Sequence, residues 1–313
     1  MPVHKVGYRP WEGATTPQWS RWWIITETGI RIATKSAWVR RILLVCWLPV
    51  LYWGLALFII EQAIDREAFQ AAGTEIVFSD NLEVVEDEIK YQAIQRVADD
   101  IDMLPDVDAL SAAIETRDKN HIRHTVWSWL LMTFFRYPQG TAILFLLGFI
   151  TPGLISQDVR SRAFLIYFSR PIGRMEYMLG KIAIPIAFIC LITMLPALCL
   201  FFFGITLSPD LSVIQVTWDI PLRILCASLF VVLPTCSIAL MLSSVTQESR
   251  FATFAWFAVW ALGHAAWTAI TITQAIRLDE PPFGDVVMKD EIVQSWSVVS
   301  LYNNLSSVQS WIF

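Results

Sequence analysis

Residues 138–205 read PQGTAILFLLGFITPGLISQDVRSRAFLIYFSRPIGRMEYMLGKIAIPIAFICLITMLPALCLFFFGI. This stretch decides the fold, because two long apolar runs flank one short charged segment, Ser156 to Lys181. Crossing a hydrocarbon core of about 30 Å takes roughly 20 apolar residues as a helix. Lipid offers the backbone no hydrogen-bond partners, so each run is predicted to be helical. Between the runs, Arg160, Arg162, Arg170, Arg174 and Lys181 outnumber Asp158 and Glu176. That excess places the segment on the cytoplasmic side.

Working outward, the whole chain of 313 residues is 55% hydrophobic and 16% charged, which excludes an ordinary soluble domain. The expected fold is an all-α multispan membrane protein with five spans, at 42–60, 138–156, 182–205, 222–244 and 252–275. Residues 1–41 carry seven Lys or Arg (Lys5, Arg9, Arg21, Arg31, Lys35, Arg40, Arg41) against Glu12 and Glu27. The N-terminus is therefore predicted to be cytoplasmic. Residues 61–125 hold sixteen Asp or Glu against six Lys or Arg, an external composition that accounts for the net charge of −5. The connections 157–181 and 245–251 then fall inside, and 61–137, 206–221 and 276–313 outside. Every basic connection lands on one side.

From Thr16 to Arg41, Trp19, Trp22, Trp23, Ile30 and Trp38 alternate with Arg21, Arg31, Lys35 and Arg40 at helical spacing. This reads as an amphipathic interfacial helix against membrane lipid, weakened at its middle by Gly29. The segment 61–137 reads as a small acidic helical subdomain, because Val84, Val85, Ile89, Ile94, Val97 and Ile101 recur near helical spacing. Its carboxylates lack the glycine and terminal glutamate of a calcium loop. Trp127 to Phe135 is expected to be membrane-peripheral, with Arg136, Tyr137, Pro138 and Gln139 interrupting it before a short second span. The closing IVQSWSVVSLYNNLSSVQSWIF, rich in Ser, Asn and Gln, is expected to form an external helical hairpin or a re-entrant piece.

Catalytic patterns are missing. Gly173, Gly180 and Lys181 imitate a phosphate loop, but the spacing is wrong and Ile182 stands where the hydroxyl residue belongs. No cofactor is therefore expected on this chain, no enzymatic activity of its own, and no nucleic-acid partner. Cys46, Cys190, Cys199, Cys226 and Cys236 fall within spans without a C-x-x-C pair and read as packing residues. His121 and His124 are expected to be solvated. His264, near the middle of the fifth span, stands out as the only ionisable group deep in a span and is the intramembrane candidate; a neutral imidazole bonded to a neighbouring helix is the structural alternative.

In the charged segment, Asp158 to Phe168 is expected to form a helix with Asp158 in its first turn. Pro171 and Gly173 break it before Arg174. Phe164, Tyr167 and Phe168 among the arginines favour docking of a partner over lipid anchoring, which has no use for an aromatic cluster.

These residues resemble the permease subunits of bacterial ABC transporters of the ABC-2 type. That family shows D-x-R-S-x-A followed by L-Y-x-S-R-P-x-x-R-x-x-Y-x-x-G-K. Here the pattern stands as Asp158, Arg160, Ser161, Ala163, then Ile166, Tyr167, Ser169, Arg170, Pro171, Arg174, Tyr177, Gly180 and Lys181. The resemblance implies a coupling helix that docks on a separate ATP-binding subunit, which would carry ATP and Mg, and a working unit containing a second permease copy, identical or different. The ATPase-coupling set would be Asp158, Arg160, Arg162, Phe164, Tyr167, Phe168, Ser169, Arg170, Pro171, Arg174, Tyr177 and Lys181. The family pattern also supplies a sixth span, expected where this sequence stops at Phe313. The competing reading is a membrane-anchored sensor or scaffold whose segment 61–137 recruits an external partner protein.

Overall fold

The computed structural model describes residues 20–65, 119–163, 165, 172–208, 213–279, 287 and 291–313. Helices α1 (Arg21–Lys35) and α2 (Ala37–Asp65) are separated only by Ser36, whose extended backbone turns the chain. A helical column follows: α3 (Lys119–Phe134), a π-turn over Phe135–Gln139, α4 (Gly140–Ile150) and α5 (Pro152–Arg160). Next come α6 (Arg174–Ile192), α7 (Met194–Leu207), a single helical turn at Val213–Val216, α8 (Ile220–Val245) and α9 (Ser249–Leu278). The chain closes with α10 (Glu291–Trp296), a 3-10 turn at Ser297–Val299 and α11 (Leu301–Ile312). Among the described residues there is no strand.

Among the described residues, five helical stretches are long and apolar enough to cross a membrane: Ala37–Phe58, Arg123–Arg160, Arg174–Leu207, Ile220–Val245 and Ser249–Leu278. The protein is an all-α, multi-pass membrane protein. The expected helices between residues 66 and 118 lie outside the described residues.

The second stretch differs from the sequence expectation. Arg136 to Gln139 do not interrupt the column; they form a π-turn inside it. Pro138 has no N–H for the carbonyl four residues earlier, and a wider turn absorbs that missing bond without ending the helix. The third stretch is broken at Thr193, between α6 and α7, because Pro196 likewise cannot donate to Ile192. The two irregularities face each other: Gln139 Nε2 donates to the Thr193 carbonyl at 3.3 Å.

Among the described residues the core has two main parts and a smaller cluster of Trp267, Ala275, Val287 and Val293. Ile143, Leu147, Ile189, Val231, Trp256 and Leu305 centre one, and Leu57, Trp127, Leu131, Phe134, Leu200 and Ile224 the other. Trp256 Nε1 donates to the Leu144 carbonyl at 2.8 Å, which ties α9 to α4 through a group that lipid could not satisfy. The last segment packs along α9. A Cβ at Gly263, midway along that helix, would meet the Val299 carbonyl at 2.8 Å. From there α11 returns, bringing Phe313 against Phe135 with ring centroids 5.6 Å apart. A helical hairpin therefore lies against α8 and α9.

Candidate functional site

Asp158, Tyr177 and Lys181 meet where α5 ends and α6 begins. Lys181 Nζ lies 2.7 Å from Asp158 Oδ2 and donates to the Leu154 carbonyl at 2.6 Å. Tyr177 donates its hydroxyl to the same carboxylate oxygen at 2.7 Å. Tyr177 is buried at 3% exposure, and the ion pair is largely enclosed. These three side chains clamp both roots of the charged segment. Asp158 sits in the last turn of α5, not in the first turn of a new helix. Nothing between Ile155 and Asp158 breaks the helix. It ends at Arg160, just before Arg162, whose φ of 53° lies in the left-handed region.

Beyond the clamp the surface is basic and apolar. Arg160, Arg162 and Arg174 are exposed, and Leu165 and Met175 are each 72% exposed. Glu176 accepts from the Gly173 N–H at 2.8 Å and so starts α6 beside them. Phe164, Tyr167, Phe168, Ser169, Arg170 and Pro171 lie outside the described residues.

Two neighbours brace the clamp. On one side α1 docks on α6 through paired glycines: Gly29 sits on Ile184, and Gly180 sits on Ile25 and the Trp22 carbonyl. Thr26 is 1% exposed and donates to the Gly180 carbonyl at 3.1 Å. Gly29, expected as a weak point of the helix, is instead a contact that admits close approach. On the other side the Ser243 hydroxyl, fully buried in α8, accepts from the Ile155 and Ser156 N–H groups at 3.2 Å each. It donates to the Pro152 carbonyl at 2.8 Å. The α8–α9 turn thus lies at the same end as the clamp. Sequence reasoning passed over Ser243, since one serine in an apolar helix carries no pattern.

The opposite end carries a second charged cluster. His124 Nε2 lies 3.0 Å from Asp219 Oδ1, and Arg223 Nε lies 2.8 Å from Asp219 Oδ2. Arg223 also donates to the Phe313 and Ile312 carbonyls. Burial pushes the Asp219 carboxyl up, but the hydrogen bond and charge of His124, with the charge of Arg223, outweigh it and hold the group below its ordinary range. The expectation of a solvated His124 is thus corrected; its partner lies 95 residues away in the sequence.

His264 is also placed differently from the expectation. It is exposed on α9, flanked by the rings of Trp267 at 6.1 Å and Tyr302 at 6.3 Å, an aromatic contact in place of a hydrogen-bonded one. Nor is it the only ionisable group within a spanning stretch. Arg136 stands in the π-turn of the second, because the helix continues through it.

Helix count, paired span ends and the residue pattern on the basic connection meet in one comparison. The profile of the ABC-2 family transporter proteins matches residues 25–310. The chain belongs to the ABC-2 transporter family. No curated protein and no solved structure matches it. The match covers every described helix from α2 to α10 entire, so the ABC-2 assignment extends well beyond the 26 residues that carried the resemblance. As an ABC-2 family member the chain is a membrane-embedded permease of the ABC transporter class. Among the described residues no group of His, Cys, Asp and Glu is arranged to hold a metal ion.

Proposed function

We propose that this ABC-2 permease is driven by a separate ATP-binding subunit docking on the connection between α5 and α6, and that it works beside a second permease copy in a bacterial inner membrane with its N-terminus cytoplasmic. The observation that carries the reading is the Asp158–Lys181 clamp with its Tyr177 hydrogen bond. A docked subunit can move the spans only if its push is not lost in a soft loop, and the clamp joins the loop's two roots into one unit. Exposed Arg160, Arg162 and Arg174, with Leu165 and Met175, supply the mixed basic and apolar surface that a protein partner covers. ATP and Mg belong to that partner. Its closure can bias the spans only by binding the two permease states unequally.

The test is a pull-down from membranes of the full chain together with ATP-driven activity of the reconstituted complex. The chain should recover an ATPase, and Arg170→Glu with Arg174→Glu should abolish ATP-driven activity while the protein still inserts. Unchanged coupled activity after that charge reversal would sink the docking assignment.

A further inference from the structure

A groove of about 890 Å³ opens between α1, the first turn of α2, the junction of α4 and α5, and α6. Ligand sites typically measure about 300–1,000 Å³. Its walls are largely aliphatic and aromatic, and Ile24, Ile32, Trp38 and Phe149 among them are each at least 47% exposed.

The groove changes character along its length. Gln157 and the Asp158–Lys181 pair line it where α5 meets α6, and Ser36 lines it where α1 turns into α2. Phe149 lies eight residues before Gln157 in the same spanning stretch, about 12 Å further in at 1.5 Å per helical residue. Water against such apolar walls is unfavourable. An amphiphile matches them, its chain beside Phe149 and its head beside Ser36 and Gln157. In a bilayer the amphiphile at hand is phospholipid.

Charge selects the head. Lys35, Arg40 and Arg41 are exposed and flank Ser36 and Trp38 in the chain, and the Arg41 guanidinium lies 5.5 Å from the Trp38 ring centroid. The sequence has no Asp or Glu from Thr28 to Ile60. Glu27 on α1 is taken by Arg31 at 2.7 Å, and Asp158 on α5 by Lys181. A cluster of cations at the end of an interfacial helix attracts anionic lipid.

We infer that this groove holds one anionic membrane phospholipid, with an acyl chain against Ile32 and Phe149 and its headgroup at the Ser36 turn beside Lys35 and Arg41. The bound lipid also lies against the Asp158–Lys181 clamp. The inference rests on the membrane assignment and not on the docking of an ATPase.

Phosphatidylglycerol is the probe. Full-length protein in mild detergent is given phosphatidylglycerol or phosphatidylcholine with identical chains, and the lipid retained per chain is counted by native mass spectrometry. A phosphatidylglycerol with a diazirine on its acyl chain, photolysed in nanodiscs, maps the contact. One phosphatidylglycerol should be retained in preference to phosphatidylcholine, and the label should concentrate on peptides holding Ile32 and Phe149. Thr28→Trp, which fills the groove without changing its charge, should remove the retained lipid. Lys35→Gln with Arg41→Gln should weaken retention of phosphatidylglycerol about 30-fold and leave that of phosphatidylcholine unchanged. Arg250→Gln, an exposed cation outside the groove, should change neither. Equal retention of the two lipids, or retention that survives Thr28→Trp, would overturn the site. So would label spread evenly over the spans, or label absent from α1, the result expected were a protein partner to fill the groove. Should the charge variant insert wrongly, Thr28→Trp and the label map decide the question.

Discussion

Lys181 Nζ and Asp158 Oδ2 lie 2.7 Å apart, with 12% and 14% of their side chains exposed, across the gap between the end of α5 and the start of α6. Both belong to the pattern shared with ABC-2 permeases, yet they spend their polar groups on each other, on Tyr177 and on Leu154. Removing one partner of an enclosed pair leaves an uncompensated charge. Lys181→Met and Asp158→Ala should each lower stability by about 3 kcal/mol. The double variant should lose much less than the sum, because each single variant already breaks the same interaction. Denaturant midpoints of the purified protein measure this, and simple additivity would refute the clamp.

The two glycines between α1 and α6 predict unequal tolerances. A Cβ at Gly180 would meet Ile25 Cβ at 2.8 Å and the Trp22 carbonyl at 2.9 Å, neither of which can swing away. Gly180→Ala should therefore cost about 1–3 kcal/mol and loosen α1. At Gly29 the nearest atoms are the flexible end of Ile184. Gly29→Ala should cost less than Gly180→Ala, since only the buried Ile184 side chain must repack and alanine's gain of about 1 kcal/mol in helix propensity offsets part of that. Protease access to the first 35 residues should rise more for Gly180→Ala than for Gly29→Ala.

Ser243 serves three backbone groups of α5 from a fully buried position. Ser243→Ala would remove the side-chain partner of two buried N–H groups, while the Pro152 carbonyl would keep the Ser156 hydroxyl. The expected loss is about 1–3 kcal/mol. Faster amide exchange at Ile155 and Ser156 than in the parent protein would report it, and unchanged exchange would count against the assignment.

Asp219 makes stability depend on acid. Its carboxyl is held below the ordinary 3.8 in the folded protein, by His124 and Arg223 against the opposing effect of burial. A depressed folded value contributes stability that is present above the unfolded value and lost as pH falls through the folded one. The parent protein should lose part of its thermal stability as pH drops below 3.8, and Asp219→Asn should lack that component. Parallel pH profiles for the two proteins would contradict the pairing.

Much of the architecture was legible in the chain because its signals are one-dimensional. Length and apolarity announced the spans around 182–205, 222–244 and 252–275. Arg136 was misread for a related reason: the apolar run after Gln139 looked complete by itself, and sequence shows nothing of a π-turn that carries the helix through a proline. His124 was misread because its partner, Asp219, is local to it only in space. Gly29 looked like a defect because propensity counts the helix alone, without the helix that packs on it.

The sequence by itself determined that this protein is a multispan helical membrane protein, where most of its long apolar helices lie, and which connection bears the residue pattern that resembles ABC-2 permeases. Burial of apolar length and segregation of charge need no knowledge of neighbours. Only the tertiary structure decided what those residues touch. Thr26 reaches the Gly180 carbonyl across 154 residues, Ser243 serves α5 across some 90, and Asp158 turns inward to Lys181 while Arg160 and Arg174 stay outside. Hydrogen bonds and ion pairs act over a few ångströms, so which polar groups meet depends on how the helices pack rather than on their order along the chain.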